Sequence, residues 1–188
     1  VEDVHSFDFM DAPRSDDISS AVRQLQLLGA VGEDNKLTEL GRKMAGFPIE
    51  PRLTAAILAA GELGCAEEVL TIIALVNGEN VFQVPANKER LEEAAQVHKV
   101  YQFNCPLPPL ILGLQKFFAN EGDLITLLNV WRGFKSSSKT NSWCQEQFLI
   151  QRHLQFAAEV RKQLVELCHN CGVRLASSRD MDTVRVAL

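Results

Sequence analysis

Apolar positions recur at helical spacing in several separate stretches of this 188-residue chain. Ile18, Ala21, Val22, Leu25 and Leu28 share one face of a 3.6-residue repeat, which predicts an amphipathic helix whose stripe is core. Ser15 is its predicted N-cap, Asp16 and Asp17 stand in the first turn where carboxylates meet the positive end of the helix dipole, and Gly29 stops it. A polar turn, Glu33 to Lys36, follows. Thr38 then caps a short helical segment that stops between Gly46 and Pro48, so helix, turn and short helix are compressed into the stretch from Leu25 to Pro51. A third helix starts at Glu50-Pro51, since proline is tolerated where no amide partner is needed. Its stripe of Leu53, Ala56, Ile57 and Ala60 permits close packing, and Gly61 and Gly64 weaken its end. Ala66 to Val76 comes next, with Val69, Ile72, Ile73 and Val76 facing inward, so two short antiparallel helices joined at Gly64 are expected.

The second half is less regular. Asn77 to Ala86 reads as a loop closed by Pro85, and Asn87 to Lys99 as a charged surface helix. Val100 to Gln115 holds Pro106, Pro108 and Pro109, which exclude a helix. Three readings of this insertion stand: a lineage-specific loop; a docking segment with exposed Leu107, Leu110, Ile111 and Leu112; and, preferred, a translated intron, since a valine codon can begin GT and a glutamine codon can end AG. Asp123 is the expected cap of a helix with Leu124, Leu127, Leu128 and Trp131 on one face. Lys135 to Ser142 is a polar loop. Ser142 and Gln145 have capping-box spacing and open a helix carrying Trp143 and Phe148. The last long helix, from about His153 to Cys168, is expected to bury Phe156, Val160, Leu164 and Leu167 and to stop at Gly172. No repeat of fixed period appears, and strands are confined to the turn at 30–37.

Composition narrows the class. With 46% apolar and 23% charged residues the chain has an ordinary globular balance. Five cysteines, an odd and scattered number, suit a reducing intracellular compartment better than a disulfide framework. No apolar run approaches the roughly 18 residues of a spanning helix, so no membrane partner is expected. The formal net charge of −5 argues against a free-standing protein held to nucleic acid by a broad basic face. Phe7 to Met10 begins apolar without a preceding element, and Asp182 to Leu188 stops within a helical run, so both ends read as cut.

The stretch L-x-x-L-G-A-V followed by L-T-x-L-G-R-K-M-A-G-F-P-I-E-P (Leu25 to Pro51) resembles the junction between the winged-helix and helical-bundle, or ratchet, domains of DEAH-box RNA helicases. F-D-F-M-D-A-P (Phe7 to Pro13) upstream supports it. So do L-G-C-A-E-E-V-L-T-I-I (Leu63 to Ile73), E-N-V-F (Glu79 to Phe82), E-G-D-L-I-T-L-L-N-V-W (Glu121 to Trp131) and W-C-Q-E-Q-F (Trp143 to Phe148) downstream, in the family's order. The resemblance implies a mainly α fold: a partial winged helix over 1–50, a helical bundle over 51–175 interrupted by the insertion at 100–115, and over 176–188 the start of a connection to a further domain. It also makes 30–37 the wing. The family usually has histidine where this chain has Leu124, which removes any role for that imidazole.

The chain has no G-x-x-x-x-G-K-[ST] loop to cradle a triphosphate and no D-E-A-H quartet, so it carries no catalytic motif of its own; ATP and magnesium would belong to RecA-like motor domains elsewhere in the parent. Cys168-His-Asn-Cys171 has metal-like spacing, but one such pair without a second reads as structural thiols, and no metal is expected. Arg132, Lys135 and Lys139 gather around one loop, and Arg152, Arg161 and Lys162 project from the last two helices. Guanidinium suits phosphate because its fixed fork donates two bonds at once, although each of these residues also reads as an ordinary solvated or intrahelical partner. By the resemblance, Arg152, Arg161 and Asn129 match positions of a bundle that closes over single-stranded RNA, and Ile18, Val22 and Leu25 lie on the surface where G-patch activator proteins dock. The resemblance implies an accessory region of an ATP-dependent RNA helicase that helps hold and step single-stranded RNA against the motor domains, in an mRNA-processing setting, with the nucleus favoured over the cytoplasm. Two rivals stand beside it. One is a stand-alone winged-helix DNA reader with Asp16 to Leu28 in the major groove, although that helix offers only Arg23 against Asp16 and Asp17; the other is a scaffold that binds only protein.

Overall fold

The structure, a computed structural model, describes residues 4, 7–83, 117, 119, 121–138 and 140–188. The predicted helix over 87–99, the insertion at 100–115 and Lys139 lie outside the described residues. Among the described residues the chain forms eight helices: α1 (Ser15–Leu27), α2 (Glu39–Met44), α3 (Pro51–Leu63), α4 (Ala66–Val76), α5 (Asp123–Ser136), α6 (Asn141–Glu146), α7 (Gln151–Asn170) and α8 (Met181–Ala187). It divides into two compact units, 1–59 and 60–188, and the division falls within α3.

In the first unit, Ser15 is the first helical residue of α1 rather than its cap; Arg14 holds the cap position in extended backbone without a side-chain bond. The Ser15 carbonyl instead accepts from Ser19 Oγ at 2.9 Å. The stripe of Ile18, Val22, Leu25 and Leu28 exists but is only half-buried, and α1 has no buried residue. Gly29 stops α1 in the left-handed region at φ +69, where glycine meets no Cβ penalty. The following turn closes tightly, with Gly32 N donating to the Lys36 carbonyl at 2.9 Å, and Val31 and Leu37 form one isolated antiparallel bridge. Thr38 caps α2 as the sequence predicts: its hydroxyl accepts from Gly41 N at 2.9 Å and donates to the Gly29 carbonyl at 2.7 Å. Met44 and Phe47 are buried beside it in sequence.

The second unit is built around α4. Ala66 and every residue from Glu68 to Leu75 are buried, because α5, α7 and α8 all pack on this helix. A helix apolar on nearly all sides belongs inside a bundle. Val76, expected to face inward, is 47% exposed, since the helix ends there and the chain leaves the bundle. The cap of α5 is Gly122, not Asp123, and has no side-chain bond. Asp123 lies in the first turn, and Thr126 Oγ1 takes the Ala119 amide at 3.1 Å. The face of α5 that is buried runs through Ile125, Leu128, Trp131 and Phe134, leaving Leu124 exposed and Leu127 half-buried. The cap of α6 is Thr140, which accepts from Trp143 N at 3.3 Å, while Ser142 Oγ turns to Glu146 at 3.1 Å. Phe148 follows α6 rather than belonging to it, and Phe82 and Leu149 form a second isolated bridge, outside the 30–37 turn to which pairing was expected to be confined.

The expected stripe of α7 is displaced. The helix buries Leu154, Ala157, Leu164 and Cys168, while Phe156 is 56% exposed and Val160 and Leu167 are half-buried. The seam 154, 157, 161, 164, 168 alternates steps of three and four, but its middle position is Arg161. A charged residue at the centre hid the seam from the hydrophobic pattern. One cluster joins Leu75 and Val81 to Val130, Trp131 and Phe134 of α5 and to Leu154 and Ala157 of α7. Residues 176–188 fold into the same unit: Asp180 caps α8 by accepting from Asp182 N at 3.1 Å, and Val184 and Ala187 are buried.

Candidate nucleic-acid interface

The first turn of α4 brings two carboxylates, Glu67 and Glu68, into a bundle that is otherwise apolar there. Glu68 is 6% exposed; it accepts from Ser177 Oγ at 2.6 Å and from Ser178 N at 3.1 Å, and Arg132 Nη2 lies 3.8 Å away. Glu67 pairs with the Arg161 guanidinium, whose Nε donates to Thr71 Oγ1 at 2.9 Å. Charges withdrawn from water persist only when paired and hydrogen-bonded, and this network meets that requirement. The local signal for it in the sequence is the adjacent Glu67-Glu68 pair opening an otherwise apolar helix; its partners Ser177 and Ser178 lie more than a hundred residues away and carry no local signal.

The sequence-predicted contact residues therefore fall into different settings. Arg161 is 20% exposed and lies within the bundle seam, and Arg132, half exposed, faces Glu68. Asn129 is half-buried, its Nδ2 donating to the Phe117 carbonyl at 3.1 Å. Asn129, Arg132 and Lys135 follow one another at three-residue steps along α5, and only Lys135 and Arg132 are exposed. Arg152 is exposed on the first turn of α7, with Nε 3.1 Å from His153 Nε2. His153, which sequence reasoning left aside, is held by the loop after α4: its Nδ1 donates to the Asn80 carbonyl at 2.7 Å, and Nε2 lies 2.8 Å from Glu79 Oε2. Arg132 and Arg161 are thus gathered at the N-terminal end of α4, and Arg152 stands beside the loop beyond its C-terminal end, about 14 Å from Arg161 along the α7 axis at 1.5 Å per residue. Ile18, Val22 and Leu25 stay together as the half-buried stripe of α1.

Cys65, Cys144 and Cys168 are buried and Cys171 is half-buried, all as free thiols. Among the described residues no group of three or more His, Cys, Asp or Glu is placed to hold a metal ion, and no helix is long and apolar enough to cross a membrane. Burial pushes the Cys168 thiol up to about 11, with the neighbouring Cys171 and the Glu67 carboxylate adding in the same direction. The folded chain keeps a proton that the unfolded chain releases, so this contribution is intact below the ordinary thiol value and is lost as pH rises through the folded one. Unfolding midpoints in denaturant should therefore fall as pH rises from 9.0 to about 11. Cys168→Ala should flatten that slope in part, since burial raises Cys65 and Cys144 too.

Comparison with known proteins places the whole arrangement in context. Residues 21–49 match the winged-helix helicase associated domain (HA2), and residues 50–127 match the ratchet-like helicase associated domain (HA2). The chain is 40% identical over 189 residues to the ATP-dependent RNA helicase DHX33 of Mus musculus, covering 98% of this chain and 24% of that protein. It is 35% identical over 186 residues to the probable ATP-dependent RNA helicase DHX35 of Homo sapiens, covering 98% and 24%. Against the pre-mRNA-splicing factor ATP-dependent RNA helicase prp22 of Schizosaccharomyces pombe it is 35% identical over 167 residues, covering 89% and 13%. The chain spans about a quarter of the length of the DHX33 and DHX35 relatives.

Proposed function

We propose, from the premise that the chain belongs to the DEAH-box RNA helicase family as its helicase-associated region, that it serves an ATP-dependent motor as the part that holds single-stranded RNA in place while the strand is stepped. The observation that carries this reading is the winged-helix match at 21–49 followed directly by the ratchet-like match at 50–127. ATP and magnesium belong in this reading to RecA-like motor domains of the parent. The bundle acts as a rigid lid that restrains the strand without reading its sequence. Arg152 and Lys135, exposed on α7 and α5, meet phosphate, with Arg132 able to join them. Arg161 and Asn129, engaged inside the bundle, act by holding those helices in place.

The α1 stripe of Ile18, Val22 and Leu25 fits a short amphipathic helix of a G-patch activator, since it is half-covered in this chain. A winged-helix remainder runs to residue 50 and the bundle follows from 51, with 176–188, which packs on that bundle, as the start of the connection to a further domain. A nuclear setting is supported by the splicing-factor relative.

The test is made in the full-length enzyme. Arg152→Glu should weaken binding to single-stranded RNA on the order of tenfold, uniformly across sequences, with a shallower salt dependence. Unchanged RNA affinity in Arg152→Glu and Lys135→Glu together would sink the RNA-contact reading. Strong, salt-sensitive binding of duplex DNA by the isolated chain would favour the DNA reader instead.

A further inference from the structure

The outer face of α7 carries a feature that neither the core nor the polar network uses. Phe156 is 56% exposed, one helical turn beyond Arg152, so the two side chains are neighbours on the same face. One edge of the ring faces the turn after α4: a Cβ built at Gly78 would stand 3.7 Å from Phe156 Cδ1. The same turn continues into Glu79 and Asn80, which grip His153, and His153 contacts the Arg152 guanidinium. Ring and guanidinium are therefore braced by one short segment of chain, and the ring remains half open to solvent.

We propose that Phe156 is a stacking platform for one base of the single strand, with Arg152 taking the adjoining phosphate. This rests on the RNA-contact reading of Arg152 above and adds to it a base-facing residue. A planar apolar ring beside a guanidinium matches the chemistry of a nucleotide, whose π-face and phosphate differ in the same way, and every base offers such a face, so the contact is tolerant of sequence. A protein partner fits less well. A stable protein interface covers roughly 800 Å² on each side, whereas along α7 Phe156 is the single exposed large apolar side chain, and its neighbours at helical spacing are the exposed Arg152, Glu159 and Gln163 and the half-buried Val160. One base covers one ring.

The experiment measures binding of the full-length helicase to a labelled single-stranded oligoadenylate and to an abasic ribose-phosphate strand of the same length. Phe156→Ala should weaken oligoadenylate binding about tenfold and leave abasic binding unchanged. Phe156→Trp should retain affinity, and Phe156→Leu, apolar but without a π-face, should lose it as alanine does. Retained affinity in Phe156→Leu would overturn the stacking platform. So would an unaltered RNA affinity in Phe156→Ala accompanied by impaired unwinding, which would assign the ring to a protein contact. If Arg152→Glu weakens binding while Phe156→Ala does not, stacking fails and the phosphate reading stands; if neither weakens it, both fail.

Discussion

Gly41→Ala is expected to disrupt the first compact unit, costing about 3 kcal/mol. Gly41 is buried in α2, and a Cβ there would lie 2.0 Å from the Ala30 carbonyl oxygen and 2.9 Å from its carbon. Neither atom can swing aside as a side-chain tip could. The Ala30 carbonyl is fixed because it accepts from Thr38 N at 3.0 Å, and Thr38 in turn caps α2 through its hydroxyl. Relief must therefore come from separating the turn at 30–37 from α2, which breaks the cap as well. Both tryptophans, Trp131 and Trp143, lie in the second unit. Amide exchange over 25–47 should accelerate strongly in the variant, while the tryptophan-detected transition moves little. A tryptophan transition that shifts as much as the local exchange would show that the two units do not unfold separately.

Arg161→Glu is the second large effect, and it bears directly on how charge reversal in this region is interpreted. The substitution removes the partner of Glu67 and the donor to Thr71, and it sets a new carboxylate beside Glu67 within the α4–α7 seam. Breaking a well-buried pair costs about 3–5 kcal/mol; solvent reaches this one, so about 3 kcal/mol is expected for the reversal. The swap Glu67→Arg with Arg161→Glu should recover a substantial part, read as melting temperature of the 188-residue chain. Reduced RNA binding in Arg161→Glu alone would then report lost packing. A variant with wild-type stability would show that the ion pair does not hold the seam.

These two sites also mark what the sequence could and could not disclose. Local rules performed well where the determining atoms are close in sequence. The stop at Gly29, the cap at Thr38 and the extent of α4 from Ala66 to Val76 all stand as read. They failed by a residue or two at helix starts: Thr140 rather than Ser142 caps α6, and Arg14 rather than Ser15 holds the cap position of α1. The long seam of α7 was hidden because Arg161 sits at its centre, and its acceptors Glu67 and Thr71 are about ninety residues away, beyond the reach of any periodicity. Phe156 entered the expected core for the same reason: an apolar residue at helical spacing reads as buried unless the opposite face is known. The candidate contact residues were found as residue types. Whether each guanidinium is exposed, like that of Arg152, or absorbed, like that of Arg161, depends on tertiary partners and only the fold could separate them.

Glu68 has one further implication, for where this polypeptide can be divided. Its carboxylate receives Ser177 Oγ and Ser178 N from a stretch that follows the last long helix, and Val184 and Ala187 cover the bundle just beyond. A recombinant piece trimmed at residue 175 would keep the seven preceding helices of the described residues yet strip two of the donors from a dehydrated anion and uncap an oily seam. The tail thus behaves as a keystone set last, and fragments designed for solution work should retain it.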